Sequence, residues 1–527
     1  MGNKVIEKNN TQKTMLKPTV FDDFLAYCNQ KNISILFAYI LTLILFGMWA
    51  YHDIVTFDAE GFYSRSGGEK WYAQWIAIGR WGLVFLKHLL NVVVINPYFS
   101  VSMMLLCFPL AAILWGYALY RWSGQAKSQF IDAVFTAVFL SHPVWALQFS
   151  FRNQMEIISF VLVLSGFQMI LFGEWMKKRG VVPGILLLFL TTFLFSCYQA
   201  FLFLYLEGVA IWFFFDMQKG YKENKKSYWI NFVRAIILTI TAYALYSIIT
   251  KVVIHTISPE EAKAGSYLKG MILWNEGVRE GLQRIFHYLK IAFWGDGVVY
   301  TVLYGVAAMV FLFYIISIVL SGKIFFPAVL VYFGIVGLPF LLEIFSAGIL
   351  ASRAQFSFVL ALAFMTTIGL EWVLNTALKK LPRLIYQIMF IVVISVIVFP
   401  QINLQSRLLY TDVKVMEEDR EKMGQIYYQA LQQGAAQGDA LVFIGGFSNY
   451  YSDTEEELEI IGYSYFEYTA QFNSQKAVEA MQAYGYNVTS PTEEQVDQAK
   501  EEAGSMGTWP GKDGIRILPG LIIVRLS

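Results

Sequence analysis

Apolar stretches long enough to cross a bilayer recur through the first three-quarters of this chain. A hydrocarbon layer about 30 Å thick leaves such stretches one ordinary solution, because every backbone N–H and C=O must be satisfied inside the segment. They become helices. Residues 33–51 form the first span, and others are read at 98–120, 131–150, 155–173, 182–197, 200–216, 229–252, 298–320, 324–345, 355–377 and 384–401. The expected fold is an α-helical polytopic membrane protein with about eleven transmembrane helices at roughly 20 residues each.

Composition agrees: 57% of the 527 residues are hydrophobic and only 15% charged, more apolar surface than a soluble fold buries. Forty basic against 39 acidic residues leave a net charge of +1, which excludes a basic field for nucleic acid. Charge therefore matters by location. Cys28, Cys107 and Cys197 form no C-x-x-C pair and read as packing residues, and His52, His88, His142, His255 and His287 lack metal-site spacing.

Residues 1–32 are polar and carry Lys4, Lys8, Lys13, Lys17 and Lys31 ahead of the first span, which places them in the cytoplasm. Polar residues before the apolar run are the wrong order for a cleaved signal peptide, so the first span is expected to remain as an anchor. The segment Trp81 to Ile95 (WGLVFLKHLLNVVVI) then decides the topology. Read as a crossing, it would put Lys177, Lys178, Arg179, Lys219, Lys222, Lys225, Lys226, Lys379, Lys380 and Arg383 outside. Read as an interfacial amphipathic helix, it keeps them all inside, as positive charges prefer. Residues 52–97 are accordingly a first outer loop, and 253–297 a second, with amphipathic pieces around Ile272 to Leu289.

From about 403 the chain becomes polar. It is helical by pattern from Asp412 to Gln433, strand-like at LVFIGG (441–446), helical again at Ser474 to Tyr484 and Thr492 to Ala503, and it closes on IRILPGLIIVRL. The organisation read from this is a cytoplasmic N-terminus at 1–32, a transmembrane domain at 33–402 and a small extracytoplasmic α/β domain at 403–527.

Sorted by side, the unusual polar residues fall outside. The first loop gives Asp53, Asp58, Glu60, Arg65 and Arg80; FRNQMEIISF gives Arg152, Asn153 and Glu156; the SCYQAF hairpin gives Tyr198 and Gln199; later outer ends give Glu343, Arg353 and Gln355. Separate segments thus aim polar groups at one level of one leaflet. Each has a plainer reading. Asp53 suits a helix-end cap, Arg65 and Lys70 suit lipid phosphates or solvent, Arg80 beside Trp81 suits a headgroup anchor, and Glu156 stands at helical spacing from Arg152. Glu207 lies inside the sixth span, where a carboxylate is usually paired or functional. His142 before Pro143 reads as a helix distortion.

An acidic pair in the first outer loop followed by Arg and then G-R-W, R-N-Q-x-E later, Y-Q in an outer hairpin and an Arg near a late span together resemble the O-antigen glucosyltransferase II family. The ending SMGTWPGKDGIRILPGLIIVRL is similar to that family's C-terminal segment. Where adjacent carboxylates would be sought, this sequence has Asp58-Ala59-Glu60. The resemblance implies a GT-C architecture. It also implies transfer of a sugar, typically glucose, from a polyprenyl-phosphate donor to a surface glycan at the outer face of the cytoplasmic membrane, among membrane lipids.

The residues supply a rationale. Attack by an acceptor hydroxyl needs a general base, for which Asp58 and then Glu60 are the candidates. The departing phosphate needs fixed cations, for which Arg353, Arg80 and Arg152 are available. Glu156, Tyr198, Gln199 and Gln355 complete the expected substrate-binding set. One carboxylate acting as base inverts the anomeric centre, whereas double displacement would need a second as nucleophile. No cofactor is required, although a divalent cation on Asp58, Glu60 and Glu156 is compatible with hard oxygen ligands. A flippase for lipid-linked glycans and a polytopic polysaccharide polymerase are the competing readings; the first would string ionisable groups along a path through the bundle, and the second would transfer a whole oligosaccharide.

Overall fold

The computed structural model describes residues 19–52, 54–124, 129–221, 223–257, 272–296, 299–322, 324–348, 351–377, 382–447, 459–467 and 474–527. Asp53, the lysines at 4, 8, 13, 17, 222, 379 and 380, and the side chains of Arg65 and Arg383 lie outside what is described.

Helix α1 (Val20–Gln30) opens on a capping box in which Thr19 and Asp22 satisfy each other's backbone N–H groups. Helix α2 (Asn32–Phe46) continues as a 3-10 turn to Ala50 and forms the first span. After the first loop, α5 (Pro97–Ser123) starts from an Asn96 cap with proline in its first turn. Helices α6 (Gln129–Ser141) and α7 (Val144–Ser150) are together long and apolar enough for one span and meet at a bend of 46° at His142-Pro143, where proline removes a helix hydrogen bond. The chain then runs through α8 (Met155–Lys178), α9 (Val181–Cys197), α10 (Ala200–Gly220) and α11 (Lys225–Ile257). The amphipathic helix α12 (Val278–Trp294) precedes α13 (Leu303–Gly322), α14 (Phe325–Gly337), α15 (Leu341–Ser346), α16 (Phe356–Ala377) and α17 (Arg383–Gln432).

Among the described residues nine helices are long and apolar enough to cross a membrane, α6 with α7 makes a tenth span, and α9 is a shorter apolar helix at the place of the remaining one. The protein is a multi-pass helical membrane protein. One end of the bundle gathers Lys31 with Asp132, Glu174 with Arg121 and Lys178 at 2.7 Å each, and Arg179 bonded to Ser227 at 3.0 Å. The first loop, the turn between α7 and α8, Tyr198 and Gln199, and Arg353 occupy the opposite end.

In the first loop a short turn (Glu60–Tyr63) leads to α3 (Arg65–Ala77) and α4 (Trp81–Leu89). Nine residues of helix reach only about 14 Å, so α4 is no crossing. Nor does it rest loosely on a surface: Gly82 abuts Ser196 and Cys197 of α9, and the Trp81 indole donates to Thr250 at 3.0 Å. Lys87 is fully buried and pairs with Glu156, itself 1% exposed, at the start of α8. Glu156 is thus held by Lys87 and not by Arg152.

The change of composition near residue 403 falls inside α17, a continuous helix of 50 residues that runs through Pro400 and carries the chain into the C-terminal domain. There β1 (Ala440–Ile444), α18 (Gln475–Ala483), α19 (Glu493–Ala503), β2 (Ile515–Leu518) and β3 (Leu521–Arg525) make a three-stranded sheet in the order β1-β3-β2. Strand β1 pairs with β3 in parallel, Leu441 opposite Ile522, and β2 pairs with β3 in an antiparallel hairpin closed by Gly520 at φ 73°. Ile54 and Phe57 of the first loop belong to the same buried cluster as Leu441, Tyr465, Val478 and Ile522, so that loop is packed into the C-terminal domain.

Breaking a buried ion pair strands one uncompensated charge. Lys87→Met is expected to lower stability by about 3–5 kcal/mol, and Lys87→Met with Glu156→Leu to recover much of that loss. Thermal unfolding of the purified protein in detergent checks both, and equal losses in the single and double variants would contradict the pairing.

Candidate functional site

The segment from Ile54 to Phe62 is held at both ends. Ile54 and Phe57 enter the C-terminal core, and Phe62 packs on Trp71, Tyr72 and Trp75 with ring centroids 6.3, 5.3 and 4.9 Å away. Between these anchors Asp58 takes φ 66°, a left-handed backbone that Asp tolerates better than most residues, and its carbonyl accepts from Asn153 Nδ2 at 2.8 Å. This conformation turns the Asp58 and Glu60 carboxylates toward one cation, Lys476 of α18. Lys476 is paired with Asp58 and lies 3.0 Å from Glu60 Oε1. The Tyr465 hydroxyl stands 3.1 Å from Glu60 Oε2 and 3.2 Å from the Thr56 carbonyl.

Asp58 is 40% exposed and Glu60 1%, so only the first presents a carboxylate to incoming molecules. Burial pushes the Glu60 carboxyl up to about 7, with Asp58 adding repulsion and Lys476 opposing both. For Lys476 burial disfavours the charge, but the two carboxylates outweigh it and hold the ammonium above its ordinary range. The arrangement is a carboxylate pair sharing one cation, with one member poised to exchange a proton near neutrality.

Arg353, just before α16, lies over the Phe151 ring at 4.3 Å, and its guanidinium and backbone N–H both bind Glu459, the latter at 3.0 Å. Since Phe151 is two residues from Asn153, which holds Asp58, the carboxylate pair and this guanidinium share the α7–α8 turn as a common support. Arg152 on that turn is wholly buried, 3.3 Å from the His52 carbonyl and beside the Trp49 ring, with Asp412 as a charge partner. It fixes the start of the loop. A short distance along, Arg80 stacks on Tyr198 at 4.5 Å, and Tyr198 reaches Phe356 at 5.7 Å. Gln199 donates to the Ile78 carbonyl at 2.7 Å, strapping the turn before Arg80, and Gln355 bonds Glu343.

The expected residues therefore divide. Asp58, Arg80 and Arg353 are partly exposed; Glu60, Arg152, Glu156, Tyr198 and Gln355 are buried, and Gln199 is bonded to the loop backbone. A further feature lies beneath the loop: both amide atoms of Gln148, Asn153 Oδ1, Gln154 Oε1 and Glu156 Oε2 are buried with no hydrogen-bond partner among the described residues. Each such atom costs about 1–3 kcal/mol unless a polar guest satisfies it. Among the described residues no three His, Cys, Asp or Glu side chains are grouped to hold a metal ion. The set Asp58, Glu60, Glu156 does not assemble, because Glu156 faces Lys87. Glu207 is fully buried in α10, away from this layer.

Lys476, Tyr465 and Glu459 are absent from the sequence reading. No local pattern marks them, since Lys476 meets Asp58 across 418 residues.

The chain matches the family model of the glucosyl transferase GtrII over residues 27–369, more than half its length. The match covers every candidate residue from Asp58 to Gln355 and stops before α17, so Lys476, Tyr465, Glu459 and the closing segment lie beyond it. No curated protein matches the chain. With its helical bundle and its charged layer at one end, this chain belongs to the GtrII glucosyl transferase family and is a membrane glycosyltransferase.

Proposed function

We propose that the protein transfers a hexose, glucose first among candidates, from a polyprenyl-phosphate donor to a cell-surface glycan at the outer face of the cytoplasmic membrane, with inversion. The observation that carries this reading is the carboxylate pair Asp58–Glu60 supported on the same turn as the Arg353 guanidinium, at the end of the bundle opposite Arg121, Lys178 and Arg179. Positive charge favours the cytoplasmic side, which supports an outer location for the pair.

In the step proposed, the acceptor hydroxyl gives its proton to Asp58, the exposed member of the pair, as its oxygen bonds to the anomeric carbon. The bond from that carbon to the phosphate oxygen breaks on the opposite side. The electron pair leaves with the phosphate, whose charge falls to Arg353 and Arg80 once Glu459 has given way. Lys476 keeps both carboxylates in place throughout, and Glu60 is the adjoining site for the captured proton. The unpartnered Gln148 amide and the Asn153 Oδ1, which can only accept, offer hydrogen bonds to the polar head of the donor. One base and one leaving group on opposite faces give inversion.

Asp58→Asn is expected to reduce transfer at least about 100-fold while the thermal midpoint stays within a few degrees; full activity in that variant would remove the base. Arg353→Ala is expected to raise the KM for a purified polyprenyl-phosphate sugar about tenfold or more, a loss on the order of 1.4 kcal/mol, and Arg353→Lys to regain part of it. The pH dependence follows from Glu60. Below about 7 its carboxyl retains a proton, so the pair has less capacity for the acceptor's proton, and transfer is expected to rise as pH climbs through that region. A rate profile flat from pH 6 to 8 in the wild type, or one unchanged in residual activity by Glu60→Gln, would contradict the assignment.

A further inference from the structure

Between the first loop and α18 lies a cleft of about 420 Å³, whose walls include Glu60, Ser64 and Lys70 on one side and Glu479, Gln482 and Ala483 on the other. We infer that this cleft is the acceptor subsite, that it takes an uncharged pyranose unit of the polysaccharide, and that the C-terminal domain supplies half of it. The inference rests on the transferase reading above and adds the ligand class and the second wall.

The volume falls within the ordinary range for small-ligand clefts. Its chemistry selects the ligand. The lining carries the Glu60 and Glu479 carboxylates against the Lys70 ammonium, so a phosphate-bearing donor head would meet net repulsion there, whereas hydroxyl groups find an acceptor in Glu479 and both donor and acceptor in the Gln482 amide and the Ser64 hydroxyl. Glu479 is already aimed: Oε1 accepts from Gln475 at 2.8 Å, while Oε2 is buried and has no partner among the described residues. A side chain on Gly61 would collide with the Trp71 indole nitrogen and come 3.2 Å from Glu479 Oε2. The bare glycine therefore lets the loop close on Trp71 and on the Glu479 carboxylate, and with Tyr63 in the lining the wall has the apolar-plus-polar combination that suits a sugar ring.

Placement selects the role. Glu60 is common to the cleft and to the carboxylate pair, so the cleft opens on the loop two residues from the proposed base. The guanidinium groups assigned to the donor phosphate are not among the cleft's lining residues. A second polar depression, about 460 Å³ and lined by Ser474, Gln475, Ser490, Asp497 and Lys500, adjoins the other end of α18. Gln475 there is hydrogen-bonded to Glu479 in the first cleft. The two depressions lie at the two ends of one helix, with the Gln475–Glu479 bond between them.

The test uses full-length protein in detergent, a purified polyprenyl-phosphate glucose as donor, and lipid-free surface polysaccharide from the native cell as acceptor probe. Initial transfer rates are measured with each substrate varied in turn. Ala483→Trp, which fills the cleft, is expected to raise the acceptor KM at least tenfold with the donor KM within twofold of wild type. Glu479→Gln, which preserves shape, is expected to raise the acceptor KM severalfold and guards against misfolding of the bulky variant. Wild-type acceptor KM in Glu479→Gln and in a folded Ala483→Trp, or an equal rise in both KM values, would overturn the inference. If those variants behave as wild type while Asp58→Asn is inactive, the cleft assignment falls and the transferase mechanism stands; if Asp58→Asn transfers normally, the mechanism itself falls.

Discussion

The site depends on one ammonium group. Asp58 and Glu60 are two residues apart on a loop that buries the second completely, and two like charges in so dry a place would force one to stay protonated. Lys476 changes that balance by standing against both. Because α18 carries it, the geometry of the loop is set by a domain far along the chain. The coupling is mechanical as well as electrostatic: Ile54 and Phe57 are embedded in the C-terminal core, and the Tyr484 hydroxyl receives the Val55 backbone N–H at 3.1 Å. Loop and domain form one body, and the carboxylates are where that body meets the bundle.

Arg353 is governed in the same way from the other sign. Its partner Glu459 also comes from beyond α17, and Glu459, like Asp58, is held at positive φ, 60° against 66°. Non-glycine residues in that conformation cost about 1 kcal/mol or more and persist only where the surroundings over-determine them. Here two of them carry the charges of the proposed chemistry. Each charge is balanced by an internal partner, so on the proposed mechanism a substrate enters by exchange: a donor phosphate for Glu459 on Arg353, an acceptor hydroxyl for solvent at Asp58. The exchange keeps the Arg353 guanidinium paired, and the carboxylate it releases must turn to water, because an unpaired charge is expensive in a low-dielectric layer.

How much of this was legible follows from the range of each interaction. The spans were, because helix length and apolar runs are properties of consecutive residues; even the break at His142-Pro143 was visible as a proline. The strand-like run at 441–446 was legible for the same reason and stands at Ala440–Ile444, whereas the closing segment showed its apolar character but not its pairing as a hairpin. The buried pair Lys87–Glu156 was not: an amphipathic reading of Trp81 to Ile95 assigns Lys87 to a polar face, and only the packing of Gly82 against α9 shows that this face is turned inward. Arg152 and Gln199 were rightly singled out as unusual, yet their work is to hold the loop, which residue type alone cannot distinguish from binding. Lys476 and Glu459 left no trace, since nothing in SQKAVEA separates a site lysine from a solvated one.

On the proposed function, the division of labour has a physical basis in the two phases the substrates occupy. A polyprenyl donor would be confined to the bilayer, with its phosphate no further out than the headgroups, so cations for it would come from helix ends such as those bearing Arg80 and Arg353. A polysaccharide acceptor would be confined to water and kept out of the bundle, so hydroxyl-binding groups for it would come from the C-terminal domain, where Glu479 and Gln482 line the cleft on α18. A single loop touching both is the least structure that brings the two reactants within bonding distance. On that proposal the residues from Asp58 to Lys70 are that loop, and the packing of Ile54 and Phe57 into the C-terminal core ties it to a domain that lies beyond the family match.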